Sequence, residues 1–161
     1  MIVVSDISPI TSLAGIGELE LLQKLYSKVI IPQSVYNEMT ATGRTVPGTF
    51  EVQTLEWIET RQVSNVSRVE ELQSALDPGA AEAIILAMEL NAELLIMDER
   101  PGRTVANQYG IHVTGVLGIL LEAKSRGLIL VVKPLMDRLI NEVEFRVSAS
   151  LYQLVLKSAG E

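Results

Sequence analysis

Cysteine is absent from the 161 residues; histidine and tryptophan occur once each and phenylalanine twice. Without cysteine there is no disulfide, no thiolate zinc site and no thiol nucleophile, which fits a cytoplasmic protein. The lone His112 reads as a core or surface residue. No Gly-x-Ser-x-Gly elbow accompanies it, so a Ser-His-Asp hydrolase is unsupported. No Walker loop is present, and Gly15-Ile16-Gly17 follows a predicted helix instead of a strand, which argues against dinucleotide binding. No apolar run approaches the roughly 18 residues of a membrane span. Met1–Asp6 lacks a basic n-region, so no signal peptide is expected there. Aromatics are only 4%, which gives no stripe of stacking rings.

What is present is an ordinary globular balance, 48% apolar and 20% charged, without repeats or low-complexity tracts. The length predicts a single domain over 1–161. The formal net charge of −7 argues against a protein that coats nucleic acid by bulk charge. The charge is uneven: residues 1–99 hold 5 Lys/Arg against 15 Asp/Glu, whereas residues 100–161 hold 8 against 5. Most of these charges read as solvated surface. The sharper reading is an acidic metal site in the first part and a basic patch in the last.

Ile2–Ser5, Val29–Ile31, Leu94–Met97 and Ile111–Val113 are short apolar runs and predict buried strands; Gln62–Val66 is a weaker candidate. Between them the pattern predicts helices. One starts with Ser8 as cap and Pro9 at its first position. Others cover Glu18–Tyr26, Gln33–Met39, Phe50–Thr60, Val69–Leu76, Pro78–Asn91 behind an Asp77 cap, Thr104–Tyr109, Val116–Arg126, Lys133–Asn141 and Ser148–Ser158. Thr40–Gly48 reads as a loop. Strands apolar on both faces that alternate with helices predict an α/β fold, a three-layer α/β/α sandwich with a central parallel sheet.

Ligands of such sheets bind beyond the carboxyl ends of the strands, where strand order reverses. Two of the most apolar runs end in aspartate, at Asp6 and Asp98. On neighbouring strands the two would share a cleft, and a divalent cation is the simplest offset to their repulsion. Carboxylates without cysteine favour Mg²⁺ or Mn²⁺ over zinc. Each aspartate alone could equally cap a helix or turn. Glu82 and Glu89 lie seven apart on one helix and could mark a solvent stripe. Glu38 alone reads as surface, Ser8 and Asp77 as caps, and Glu99 with Arg100 as a surface salt bridge. A phosphoacceptor receiver shares the architecture, but the acidic pair, acceptor Asp and Lys it needs are not in place.

Four segments come in an order that resembles PIN domains: Val4-Ser5-Asp6-Ile7-Ser8-Pro9, Val29-Ile30-Ile31-Pro32 with Val35-Tyr36-Asn37-Glu38, Leu76-Asp77-Pro78-Gly79-Ala80-Ala81-Glu82-Ala83-Ile84, and Leu95-Ile96-Met97-Asp98-Glu99-Arg100. Gly115-Val116-Leu117-Gly118 and Phe145-Arg146-Val147-Ser148 also match, so the resemblance covers nearly the whole chain. It is closest to an uncharacterised VapC-like branch.

The resemblance implies a metal-dependent ribonuclease, in particular the toxin-like nuclease of a toxin–antitoxin pair. Asp6, Glu38, Glu82 and Asp98 would be both catalytic and metal-holding, with Mg²⁺ or Mn²⁺ as cofactor and Ser8 and Glu99 in support. Arg100 and Arg103 would meet substrate phosphates, and Lys124 is a weaker candidate that reads better as a solvated charge. The implied products carry 5′-phosphate and 3′-hydroxyl ends. The implied partners are an RNA substrate, a small antitoxin protein and a second copy of the chain, with no membrane. Glu82 stands where many PIN domains carry Asp, and Ile7 where Thr or Ala is common. The alternative reading is a PIN-like module that binds nucleic acid or protein without turnover. A nuclease acting on structured DNA could use the same site.

Overall fold

A computed structural model describes residues 1–41, 43 and 45–161. Five strands form one all-parallel sheet in the order β3-β2-β1-β4-β5: β1 (Val3–Ser5), β2 (Val29–Pro32), β3 (Ile58–Arg61), β4 (Leu94–Ile96) and β5 (Val113–Thr114). Among the described residues ten helices connect and cover them: α1 (Ile7–Gly15), α2 (Glu20–Tyr26), α3 (Gln33–Met39), α4 (Thr49–Thr54), α5 (Val66–Leu72), α6 (Pro78–Glu89), α7 (Arg100–Gln108), α8 (Val116–Ser125), α9 (Lys133–Glu142) and α10 (Ala149–Ser158).

The predicted sandwich is what forms, and the strand residues show why. Successive side chains on a strand point to opposite faces. Val3, Val29, Ile31 and Ile96 enter a core built with α1, α2, α3, α8, α9 and α10. Their neighbours Val4, Ile30, Leu95 and Met97 enter a second core with α5, α6 and α7. Both faces are covered, so the central strands are apolar on both sides, with the buried Ser5 at the end of β1 the polar exception. Burying a Val, Leu or Ile side chain contributes roughly 1.5–3 kcal/mol, and the forty buried apolar residues of these two cores carry the fold.

Several elements differ from the sequence reading. Phe50–Thr60 is not one helix: α4 ends at Thr54 and β3 occupies Ile58–Arg61. Gln62–Val66 is therefore not the strand. The cause is β3's place at the sheet edge, where it pairs only with β2. Only Ile58 is buried there, while Glu59 turns outward to Lys28 and Arg61; such charges are how an edge strand avoids further pairing. The Val69–Leu76 helix begins earlier, at Val66, because the Asn65 side chain accepts the Arg68 N–H at 3.2 Å. The last strand is shifted from 111–113 to Val113–Thr114. α7 starts at Arg100, four residues early, with Pro101 in its first turn. Ser8 does not cap α1; Asp6 holds the cap position and uses no side-chain hydrogen bond there. Of the loop expected across Thr40–Gly48, Thr42 and Arg44 lie outside the described residues.

The C-terminal helices are tied down by Glu161. Its carboxylate accepts the Val132 and Lys133 N–H groups at 2.7 and 3.0 Å, and Lys124 Nζ at 3.0 Å. Lys124 also donates to the Ala159 carbonyl at 2.6 Å, so this lysine joins α8 to the end of α10.

Candidate functional site

The sheet order reverses at β1, which lies between β2 and β4. The crevice beyond the carboxyl ends of β1 and β4 is therefore the topological switch point of the sheet. Asp6 and Asp98 both stand there. The Asp6 N–H donates to the Ile96 carbonyl at 3.0 Å, which locks the end of β1 to the end of β4.

Asp6 is 3% exposed, and its Oδ1 is buried without a hydrogen-bond partner. Burial lifts its pKa from 3.8 to about 7; the nearby charges of Asp77, Glu99 and Glu38 push the same way, while the Ile7 N–H offsets part of the rise. A buried carboxyl oxygen left without a partner is costly. Gly79, in the first turn of α6, keeps space open beside it: a Cβ there would lie 3.3 Å from Asp6 Oδ1 and 3.5 Å from Asp77 Oδ1.

Asp98 is half-buried and differently held. Its carboxylate accepts the Val116 N–H at the start of α8, at 3.1 and 3.3 Å from the two oxygens. Burial raises its pKa to about 6, against the opposing effects of that N–H and of Arg103. Arg103 Nη1 donates to the Met97 carbonyl at 3.1 Å. Gly115 makes this possible, since a Cβ at that position would run into Asp98 Oδ1 and sit 2.9 Å from Arg103 Nη1.

The other predicted residues divide. Glu38 is exposed on α3, yet close enough for its charge to act on Asp6, and it shares a cleft with Ser8. Glu82 is half-buried in α6, and its Oε1 accepts the Ser34 N–H at the start of α3, 3.2 Å away. Glu89, its partner in the expected solvent stripe, instead accepts the Ser64 N–H at 2.7 Å ahead of α5. The stripe is thus a pair of helix-start anchors. Among the described residues Glu99 forms no salt bridge with Arg100; burial raises its pKa, and a hydrogen bond with Asp77 adds to the rise.

Asp77 is the residue the sequence reading missed. It does cap α6, accepting the Ala80 N–H at 2.8 Å, but it also faces Asp6 and Glu99. A usable signal is that the helix it opens starts at the carboxyl edge of a parallel sheet, where ligands gather. The acids around Asp6 are thus Asp77, Glu99 and Glu38, while Asp98 and Glu82 are held by backbone N–H groups of α8 and α3.

Among the described residues no three acidic or histidine side chains converge on one point as a ready-made cage. The donors still suit a hard cation. They are all oxygen, the Asp6 Oδ1 is orphaned, and Mg²⁺ commonly takes only one or two carboxylates and keeps several waters.

A family model described as DUF3368, PIN domain, matches residues 2–161. Among solved structures, a PilT N-terminus domain protein from the hyperthermophilic archaeon Sulfolobus solfataricus is similar at 20% sequence identity and a TM-score of 0.54, covering 76% of this chain and 93% of that one. At that identity the likeness is one of fold. No curated protein matches.

Proposed function

The chain belongs to the PIN-domain family, whose members are generally nucleases and typically use divalent metals, and on that premise we propose that it is an Mg²⁺- or Mn²⁺-dependent endoribonuclease acting as one unit over 1–161. The observation that carries this reading is Asp6. A carboxylate that is 3% exposed, with an orphaned oxygen, at the switch point of a parallel sheet beside Asp98, is arranged for a cation.

Asp6, Glu38, Glu82 and Asp98 would hold the ion, with Ser8 and Glu99 in support. When bound, the ion supplies Lewis acidity and a water of lowered pKa for attack at phosphorus. The chain's own residues do the rest. The Val116 N–H and Gly115 orient Asp98. Glu82 ties α6 to the start of α3, which also carries Glu38. Arg100 and Arg103 offer guanidinium groups to the substrate phosphates, a geometry suited to bidentate contact.

The toxin role is part of the proposal: a small antitoxin protein would silence the nuclease, and the chain would act as a homodimer. Replacing Asp6 or Asp98 by asparagine and measuring RNA cleavage with Mn²⁺ tests the core of it. The expected loss is at least about 10²-fold in rate. Unchanged cleavage in both variants would remove the metal site and leave a binding module.

A further inference from the structure

Two buried side-chain polar atoms among the described residues have no hydrogen-bond partner, Asp6 Oδ1 and Ser34 Oγ. Both stand on the carboxyl rim of the sheet. Asp6 directly follows β1, and Ser34 lies just beyond the end of the adjacent β2, in the first turn of α3. The two places meet at the start of α6: a Cβ on Gly79 would lie 3.3 Å from Asp6 Oδ1 and 3.4 Å from Cγ2 of Val35, the residue after Ser34. The ion proposed at Asp6 accounts for the first atom but not for the second.

A hydroxyl buried without a partner loses its hydration and gains nothing in return. Alanine would fill the same place without that cost, and it is the better helix former. An orphaned polar atom of this kind calls for a partner, and one lies close by. The Ser34 N–H already donates to Glu82 Oε1 at 3.2 Å. An ionised carboxylate has about four acceptor positions, and Glu82 uses one of them among the described residues. A turn about χ1 carries a serine hydroxyl from one staggered position to another. The N–H and O–H of one serine can then hold one carboxylate together, which fixes its direction as well as its place. Glu38 lies four residues further along α3, on the same face of the helix as Ser34.

We propose that Ser34 is the positioning residue of Glu82: in the ion-loaded protein its hydroxyl closes onto the carboxylate that its N–H already holds and keeps that carboxylate aimed at the ion. The inference rests on the nuclease reading above and adds a neutral residue to a site otherwise made of acids. Ser34 touches neither ion nor substrate and acts only through Glu82. In the unloaded protein the hydroxyl is idle, so its contribution belongs to the loaded state alone. That separates it from a hydroxyl that serves the fold, which would stabilise both states alike.

The test is Mn²⁺ binding to the full chain, followed by loss of the electron paramagnetic resonance signal of the free ion, with no cleavage involved. S34A is expected to weaken binding about tenfold or more, as the loss of a group that orients a metal ligand does. Its urea midpoint in EDTA is expected to stay at or above that of wild type, because alanine removes an orphaned donor. S34T, which returns a hydroxyl, is expected to recover most of the lost affinity. Wild-type Mn²⁺ affinity in S34A overturns the proposal. So does a lowered urea midpoint of S34A in EDTA, since the hydroxyl would then be serving the unloaded fold, and so does an S34T chain that binds as poorly as S34A. The wild-type titration separates the two readings. If the wild-type chain binds Mn²⁺ and S34A binds it equally well, the Ser34 assignment falls and the nuclease reading stands. If the wild-type chain binds no Mn²⁺, the metal-dependent nuclease reading is the one that fails, and the role of Ser34 falls with it.

Discussion

Asp6 and Asp98 end neighbouring parallel strands, yet only one of them is satisfied: Asp98 accepts the Val116 N–H at 3.1 Å, while Asp6 Oδ1 is buried with no partner. Burial raises both pKa values, to about 7 and about 6. The carboxyl with the orphaned oxygen is the one that burial disturbs most, and the pH behaviour of the metal-free protein should be written chiefly by Asp6.

The first prediction is a loss of stability with rising pH. A carboxyl whose pKa is raised in the folded state binds more protons there than in the unfolded chain. Its contribution is complete below the unfolded value of 3.8 and is lost as pH climbs through about 7. For a shift this large the change is a few kcal/mol. Urea unfolding of the metal-free chain at pH 5 and pH 8 measures it. D6N should remove most of the difference and be the more stable protein at pH 8. A wild-type chain equally stable at both pH values contradicts the assignment.

The second prediction concerns the metal. Any ion that binds only the folded state stabilises it, by about 2.7 kcal/mol at a hundred times its Kd. Binding here competes with the proton on Asp6, so affinity must rise with pH. Thermal unfolding with millimolar Mn²⁺ should show a larger upward shift at pH 8 than at pH 5.5, and none in D6N. A shift that D6N retains would place the ion elsewhere.

How much of this was legible in the residues follows from what each position has to satisfy. β1, β2 and β4 can be read because both of their faces are buried, so every residue in Val3–Ser5, Val29–Pro32 and Leu95–Ile96 is under the same demand. β3 cannot, since its edge position asks only Ile58 to be buried and lets Glu59 and Arg61 face outward. Asp6 and Asp98 are visible because they directly follow such strands. Asp77 is hidden because one role, capping α6, already explains it. The bond from Ser34 to Glu82 joins residues 48 apart, a distance at which spacing along the chain says nothing.

Gly115 gives a third prediction. A Cβ at this position would collide with the Asp98 carboxylate and crowd Arg103 Nη1. G115A must therefore push Asp98 off the Val116 N–H, leaving a half-buried carboxylate without its donor, at a cost of about 1–3 kcal/mol. RNA cleavage should fall by an order of magnitude or more, while circular dichroism keeps the native helix content. Alanine is otherwise harmless at a backbone with ordinary negative φ, and Gly115, at φ −117°, is such a site. Undiminished cleavage in a folded G115A protein would mean that the position of Asp98 does not matter to the reaction.

The last prediction separates two tasks of Glu82. Its Oε1 accepts the Ser34 N–H, one of the donors that the start of α3 cannot satisfy within the helix. If Glu82 only anchors α3, glutamine can replace it, because an amide oxygen accepts the same bond. If it also helps hold a cation, the lost charge matters even though the bond survives. E82Q should keep its unfolding free energy within about 0.5 kcal/mol of wild type and lose most cleavage. E82A should lose the cleavage and about 1 kcal/mol as well, the usual cost of an unmade cap. Denaturant unfolding and cleavage with Mn²⁺, run on both variants, read the two effects apart. Full cleavage by a stable E82Q would reduce Glu82 to the anchor of α3 and leave Asp6, Glu38 and Asp98 to hold the ion.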